Sequence, residues 1–205
     1  MAMSNPSVFR VFVPFAFGYF LSYLFRVVNA VIAPDLVTDL QIDPSQLGLL
    51  TATYFIAFAS SQLPLGIFLD RFGPRKVESF LLIFAGIGAF IFAKSQSLFG
   101  VIVGRAFIGF GVSACLMAAF KSYGIFCPER LWPRINGFQM AAGGLGALCA
   151  TTPVQWMMGI TDWRGLFLLL SGISFAIALL VYLVVPEKTN DRPKENLSLQ
   201  LEGIK

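Results

Sequence analysis

The sequence predicts an all-α membrane protein: six transmembrane helices with both termini in the cytoplasm. Three observations carry this. First, 57% of the 205 residues are hydrophobic and only 13% are charged, about half the ~25% charge of a soluble domain; the mean hydropathy is +0.75. Second, apolar stretches long enough to cross a bilayer, about 20 residues each, occur six times. Third, lysine and arginine collect on one side of alternating loops. Lipid is the solvent for most of such a chain. It admits only helices and closed barrels, because every backbone N–H and C=O must find its partner internally. Runs without strict two-residue alternation are helices.

In chain order the expected spans are 11–34, 47–69, 77–95, 98–121, 135–158 and 166–185. Short polar breaks with Pro, Gly and charged residues separate them, so consecutive spans are antiparallel neighbours. Residues 1–10 form a cytoplasmic N-terminus, 11–185 the six-helix bundle, and 186–205 a polar cytoplasmic linker or tail with no fold of its own. One side of the membrane receives Arg10, then Arg71, Arg75 and Lys76, then Lys121, Arg130 and Arg134, and finally Lys188, Arg192, Lys194 and Lys205. The other side receives Lys94 and Arg164, with Asp35, Asp39 and Asp43 in its first loop. This bias makes the first side cytoplasmic, and the expected location is the cell (inner) membrane, as a multi-pass protein.

Composition also removes function classes. A net charge of +4, scattered along the chain, is too small to track a phosphate backbone, so no nucleic-acid partner is expected. Cys115, Cys127 and Cys149 show no metal-ligand spacing, and there is no histidine. Neither a zinc site nor a His-dependent catalytic set is available, and no enzyme activity, metal or cofactor is expected. The first apolar run ends in Ala33-Pro34-Asp35 without the small-residue pattern of a cleaved leader.

Between the second and third spans stands Gly66-Ile-Phe-Leu-Asp70-Arg71-Phe-Gly73-Pro74-Arg75-Lys76. A tight turn with interfacial cations does not by itself explain an aspartate at the end of a span. The stretch resembles the signature loop of the major facilitator superfamily, G-x-x-x-D-R-x-G-x-R-[RK], at every fixed position. Gly104-Arg105-Ala-Phe-Ile-Gly109-Phe-Gly111 is similar to the R-x-x-x-G-x-G motif of that family's fourth helix. The resemblance covers about residues 10–190, one half of a twelve-helix fold made of two six-helix halves. It implies alternating-access transport of a small solute, and a second six-helix half or a homodimer partner beside the lipid bilayer. The other reading is a truncated or non-transporting membrane partner protein.

The resemblance further implies that Gly66, Asp70, Arg71, Gly73, Arg75 and Lys76 form a conformational latch. In it the aspartate meets the positive end of a helix of the opposite half, and the arginines pair around it. It also implies that helices one and four line the cavity, whereas helix three, with Ile83, Phe84, Phe90 and Phe92, faces lipid. Arg26 and Arg105 are the costly residues, each roughly 2.5–3.5 kcal/mol inside an apolar helix. Counting from the outer helix ends puts both at one depth, roughly 10 Å in. No aspartate or glutamate is expected in the interior of a span. Neither arginine then has a counter-ion, and no carboxylate is available to carry a coupled proton. Two unpaired guanidinium groups favour an organic anion, a carboxylate, a sugar phosphate or a short peptide. Two other readings stay open: Arg105 as a structural motif residue, and Arg26 snorkelling outward. Tyr19, Tyr23 and Asn29 share a stripe with Arg26. Tyr54 on helix two and Gln139 on helix five complete the candidate cavity. Lys121 reads as an interfacial anchor.

Overall fold

A computed structural model describes residues 6–187. The described residues are helical throughout: α1 (Pro6–Leu40), α2 (Pro44–Phe72), α3 (Pro74–Lys94), α4 (Leu98–Gly111), α5 (Cys115–Phe126), a 3-10 turn (Glu129–Leu131), α6 (Trp132–Cys149), α7 (Thr152–Met158) and α8 (Trp163–Val184). Among the described residues, five stretches are long and apolar enough to cross a membrane: Val8–Leu40, Pro44–Phe72, Pro74–Lys94, Leu98–Phe126 and Trp163–Val184. The expected stretch 135–158 is divided between α6 and α7. Pro153 sits in the first turn of α7, where its missing N–H costs nothing, but its ring prevents α6 from running on. The expected tail lies beyond the described residues except for Pro186 and Glu187.

Helix boundaries follow local chemistry. Asp43 opens α2 with a capping box: its carboxylate accepts from Gln46 N at 2.8 Å, while Gln46 Oε1 accepts from Asp43 N at 2.9 Å. Gly73, at φ +80°, is the single residue between α2 and α3, and Pro74 follows at the first helical position. That pair reverses the chain in a conformation a side chain would strain. Asp162 caps α8 by accepting from Gly165 N at 2.7 Å.

Three departures from expectation bear on the site. The span 98–121 breaks at Val112–Ala114, between α4 and α5. Gln62 Nε2 of α2 donates to the Ser113 carbonyl at 3.1 Å, satisfying a group the turn leaves outside the helical ladder. Secondly, helix three is not simply a lipid-facing helix. α3 is packed between α4 and α8, and only one side of it, with Phe80, Ile83, Ile87 and Phe90, is exposed. Phe92 is fully buried and stacks on Phe167 with ring centroids 4.1 Å apart. Thirdly, an acid does lie inside the bundle. Glu78 of α3 is 0% exposed, because it continues the buried stripe of Leu82, Ala85, Ala89 and Phe92 by one further turn.

At the end of the bundle opposite Asp70, Asp39 accepts from Trp163 Nε1 at 3.1 Å and pairs with Arg164, which also donates to the Ser95 carbonyl at 3.3 Å. This cluster ties the end of α1 to the C-terminus of α3 and the start of α8.

Candidate functional site

Arg105, 1% exposed, points from α4 towards α1 and donates through Nη1 to the Phe25 carbonyl at 3.0 Å. Its guanidinium carbon lies 5.0 Å from the centroid of the Tyr54 ring. Tyr54, fully buried on α2, donates its hydroxyl to the Ser22 carbonyl at 3.4 Å. A Cβ added at Gly109, one turn after Arg105, would collide with the Tyr54 carbonyl. The absence of a side chain there is what lets α4 approach α2 closely enough to sandwich the tyrosine.

Arg26 follows Phe25 directly, yet its surroundings differ. It is half-buried, with its guanidinium 4.7 Å from the Tyr23 ring centroid and 5.3 Å from that of Phe58. Its Nε, like that of Arg105, has no hydrogen-bond partner among the described residues, and neither arginine makes an ion pair there. Tyr19 and Tyr23 meet edge to face, centroids 4.9 Å apart. Asn29 Nδ2 donates to Thr51 Oγ1 of α2 at 3.0 Å. Both arginines are within electrostatic reach of Tyr54. The structure therefore brings Tyr19, Tyr23, Arg26, Asn29, Tyr54 and Arg105 into one neighbourhood of α1, α2 and α4.

Gln139 belongs to a different contact. Fully buried on α6, it donates to the Phe15 carbonyl at 3.1 Å and accepts from the Tyr123 hydroxyl at 2.7 Å. Every strong polar bond it makes joins α6 to α1 and α5.

The latch residues lie at the α2–α3 turn. Within this half Asp70 pairs with Lys121 of α5, and neither Arg71 nor Arg75 bonds to it among the described residues. Arg71 lies over the Phe72 ring, 5.4 Å from its centroid. Arg75 donates to the Val185 carbonyl at 3.2 Å and sits 3.5 Å from Glu187, with which Lys76 also pairs. Lys76, hydrogen-bonded to the Glu187 carboxylate, holds that group below the ordinary carboxylate range, with the charges of Lys76 and Arg75 adding to the effect. A Cβ at Gly66 would meet nothing within 4 Å, so this part of α2 is uncovered by the described residues.

Sequence reasoning missed Glu78, the Asp70–Lys121 pair and the Gln62–Ser113 bond. For Glu78 a signal existed, since it falls on the helical phase of the buried side of α3. A groove of about 820 Å³ runs between α2, α3 and α8. Lys76 stands on its rim, but it holds none of the cavity candidates, and its apolar walls suit lipid chains.

The Major Facilitator Superfamily description matches residues 15–201. This chain belongs to that superfamily. It is a multi-pass membrane protein with the superfamily's all-helical fold. The crystal structure of a D-xylose–proton symporter superposes with a TM-score of 0.75 at 18% identity, over 97% of this chain and 52% of that one. A probable sulfoacetate transporter of Cupriavidus necator is 26% identical over 79% of this chain and 38% of its own length. A 4-hydroxybenzoate transporter of Acinetobacter baylyi is 28% identical over 76% and 34%. The hexuronate transporter of Escherichia coli is 26% identical over 91% and 44%. The chain thus spans between a third and a half of the length of these curated relatives.

Proposed function

We propose that this chain supplies one six-helix half of a secondary transporter for small organic anions in the inner membrane, working by alternating access. In this reading α6 and α7 together make the sixth crossing, and both termini face the cytoplasm. A second six-helix half, contributed by another polypeptide segment or a second copy, closes the cavity. The apolar surface of α2, with Leu63 at 87% exposure, supports such a partner, since that helix is the least covered of the long ones.

Arg26 carries the reading. A guanidinium half-buried in a bundle, resting on aromatic faces and without an anionic partner among the described residues, is a cation open to a counter-ion. A carboxylate or sulfonate supplies one bidentately. Sulfoacetate, 4-hydroxybenzoate and hexuronate, named for three relatives, are all anions at neutral pH. Tyr23 and Asn29 flank the bound group from this half, with Tyr19 and Tyr54 shaping the wall. Arg105 positions Tyr54 and α1, and Gln139 holds α6 in register. At the other end Gly66, Asp70, Arg71, Gly73, Arg75 and Lys76 latch this half to its partner.

The test is uptake in cells producing the chain, with a panel of carboxylates, sulfonates, sugar phosphates and short peptides. Arg26→Gln lowers uptake of the accepted anion about tenfold at limiting substrate while membrane insertion persists, and Arg26→Lys retains part of it. Unchanged uptake of every anion in Arg26→Gln defeats the anion assignment.

A further inference from the structure

Glu78 has no role in the site described above, and its surroundings are unusual. Both of its carboxyl oxygens are buried and lack a hydrogen-bond partner among the described residues. It occupies space that exists only because residue 18 of α1 is glycine: a Cβ built there would land on Glu78 Oε1, with Cys115 Sγ of α5 only 3.8 Å from the same point. The acid therefore plugs the junction of α1, α3 and α5.

At this end of the bundle the basic side chains of α3 and α5 are engaged elsewhere. Arg75 and Lys76, on the same helix, reach away to Val185 and Glu187. Lys121 of α5 holds Asp70 of α2. The titratable groups facing Glu78 are Cys115 and Tyr123, both on α5 and both within reach of its charge. The Tyr123 hydroxyl already donates to Gln139. From α1 the contact is Gly18, and the neighbouring Tyr19 directs its hydroxyl to Met140 Sδ at 3.7 Å. On α8, Tyr182 lies beneath the Arg75 guanidinium, 4.8 Å from ring centroid to carbon. On α4, Arg105 is bonded to Phe25. A buried ionised carboxylate without a hydrogen-bond donor or cation beside it is not tolerated in a protein interior; a neutral carboxylic acid is.

The geometry points to Glu78 as a proton-binding site enclosed at the α1–α3–α5 junction, whose ionisation requires that junction to open. The ligand is a single proton on the carboxyl. With 0% exposure, the proton leaves only when α1 separates from α3 and admits water. By linkage, raising the pH favours the opened junction and acid favours the packed one. A chain that carried no solute would still bind this proton, so the site stands or falls separately from the anion reading.

The test uses the full chain in lipid vesicles. Infrared titration of wild type shows a neutral-carboxyl C=O band at neutral pH. Carbon-13 glutamate shifts that band without any substitution, and Glu78→Gln removes it. In a Cys127→Ser, Cys149→Ser background, Cys115 alkylation accelerates as the band is lost. Above that pH it exceeds the rate in the Glu78→Gln form by tenfold or more. Absence of a glutamate-dependent neutral band at neutral pH overturns the proposal. So does a constant ratio of the two alkylation rates across the titration.

Discussion

Arg26 and Arg105 are the same residue type, both inside apolar helices, and the sequence puts them at one depth; the structure gives them opposite circumstances. Arg105 is closed in and committed: a backbone carbonyl of α1 accepts a hydrogen bond from its Nη1, and Tyr54 lies under its guanidinium plane. Arg26 is half-open and uncommitted, held by the faces of Tyr23 and Phe58 alone. What distinguishes them is the neighbouring backbone. Phe25 offers its carbonyl to α4, and the residue directly after it is turned roughly 100° away along the helix. A buried cation that has found a carbonyl braces the fold, whereas one that has found only π-faces remains able to take a ligand.

Substitution tests this contrast. Arg105→Lys keeps the charge but loses the planar fork, so it should lower stability by about 2–3 kcal/mol, the worth of a hydrogen bond to a charged group. Thermal unfolding in detergent reads this, and an unchanged midpoint would dissolve the distinction. Arg26→Gln should weaken binding of the accepted anion about tenfold, about 1.4 kcal/mol, while costing less than about 1 kcal/mol of stability, the worth of its cation–π contacts. Equilibrium binding measured beside the same unfolding assay separates the two effects. Tyr54→Phe removes a long hydrogen bond but keeps the ring beneath Arg105, so a loss of about 0.5–1 kcal/mol is expected. A larger loss would mean that the hydroxyl, not the ring, supports the guanidinium.

The smallest effect is at the bundle end, which involves neither arginine. The Glu187 carboxyl lies below its ordinary range through its bond to Lys76. Its contribution is therefore present at neutral pH and fades as pH falls through the folded-state value. Glu187→Gln should flatten the acid side of the stability profile slightly, and salt should do the same at constant pH. A Glu187→Gln profile that keeps the full acid slope would assign that slope elsewhere.

Much of the helix plan was legible in the sequence because lipid leaves few choices. Span length, the Gly73-Pro74 reversal and the signature motif all act locally, and each is readable from a few adjacent residues. What escaped depends on which helix stands opposite. Asp70 and Lys121 are each interfacial on their own helices, and only the packing of α5 near α2 makes them a pair. Gln139 is polar like a cavity residue, but its amide is bonded to Phe15 and Tyr123 inside the bundle. Glu78 lies so near the Pro74 end of α3 that counting from the turn reads it as solvated. Its neighbour is a glycine sixty positions earlier, and no periodicity within α3 reports on that. Helical phase tells which side of a helix is inward; it does not tell what waits there.

The break at Val112–Ala114 has a mechanical corollary. Arg105 rides on the rod before it, and Cys115 and Lys121 on the rod after it. The joint itself is pinned from outside by Gln62. Asp70 holds the second rod through Lys121, while the first is held to α1 through Phe25. The two halves of this stretch are therefore anchored to different helices, with one glutamine amide bracing the turn between them.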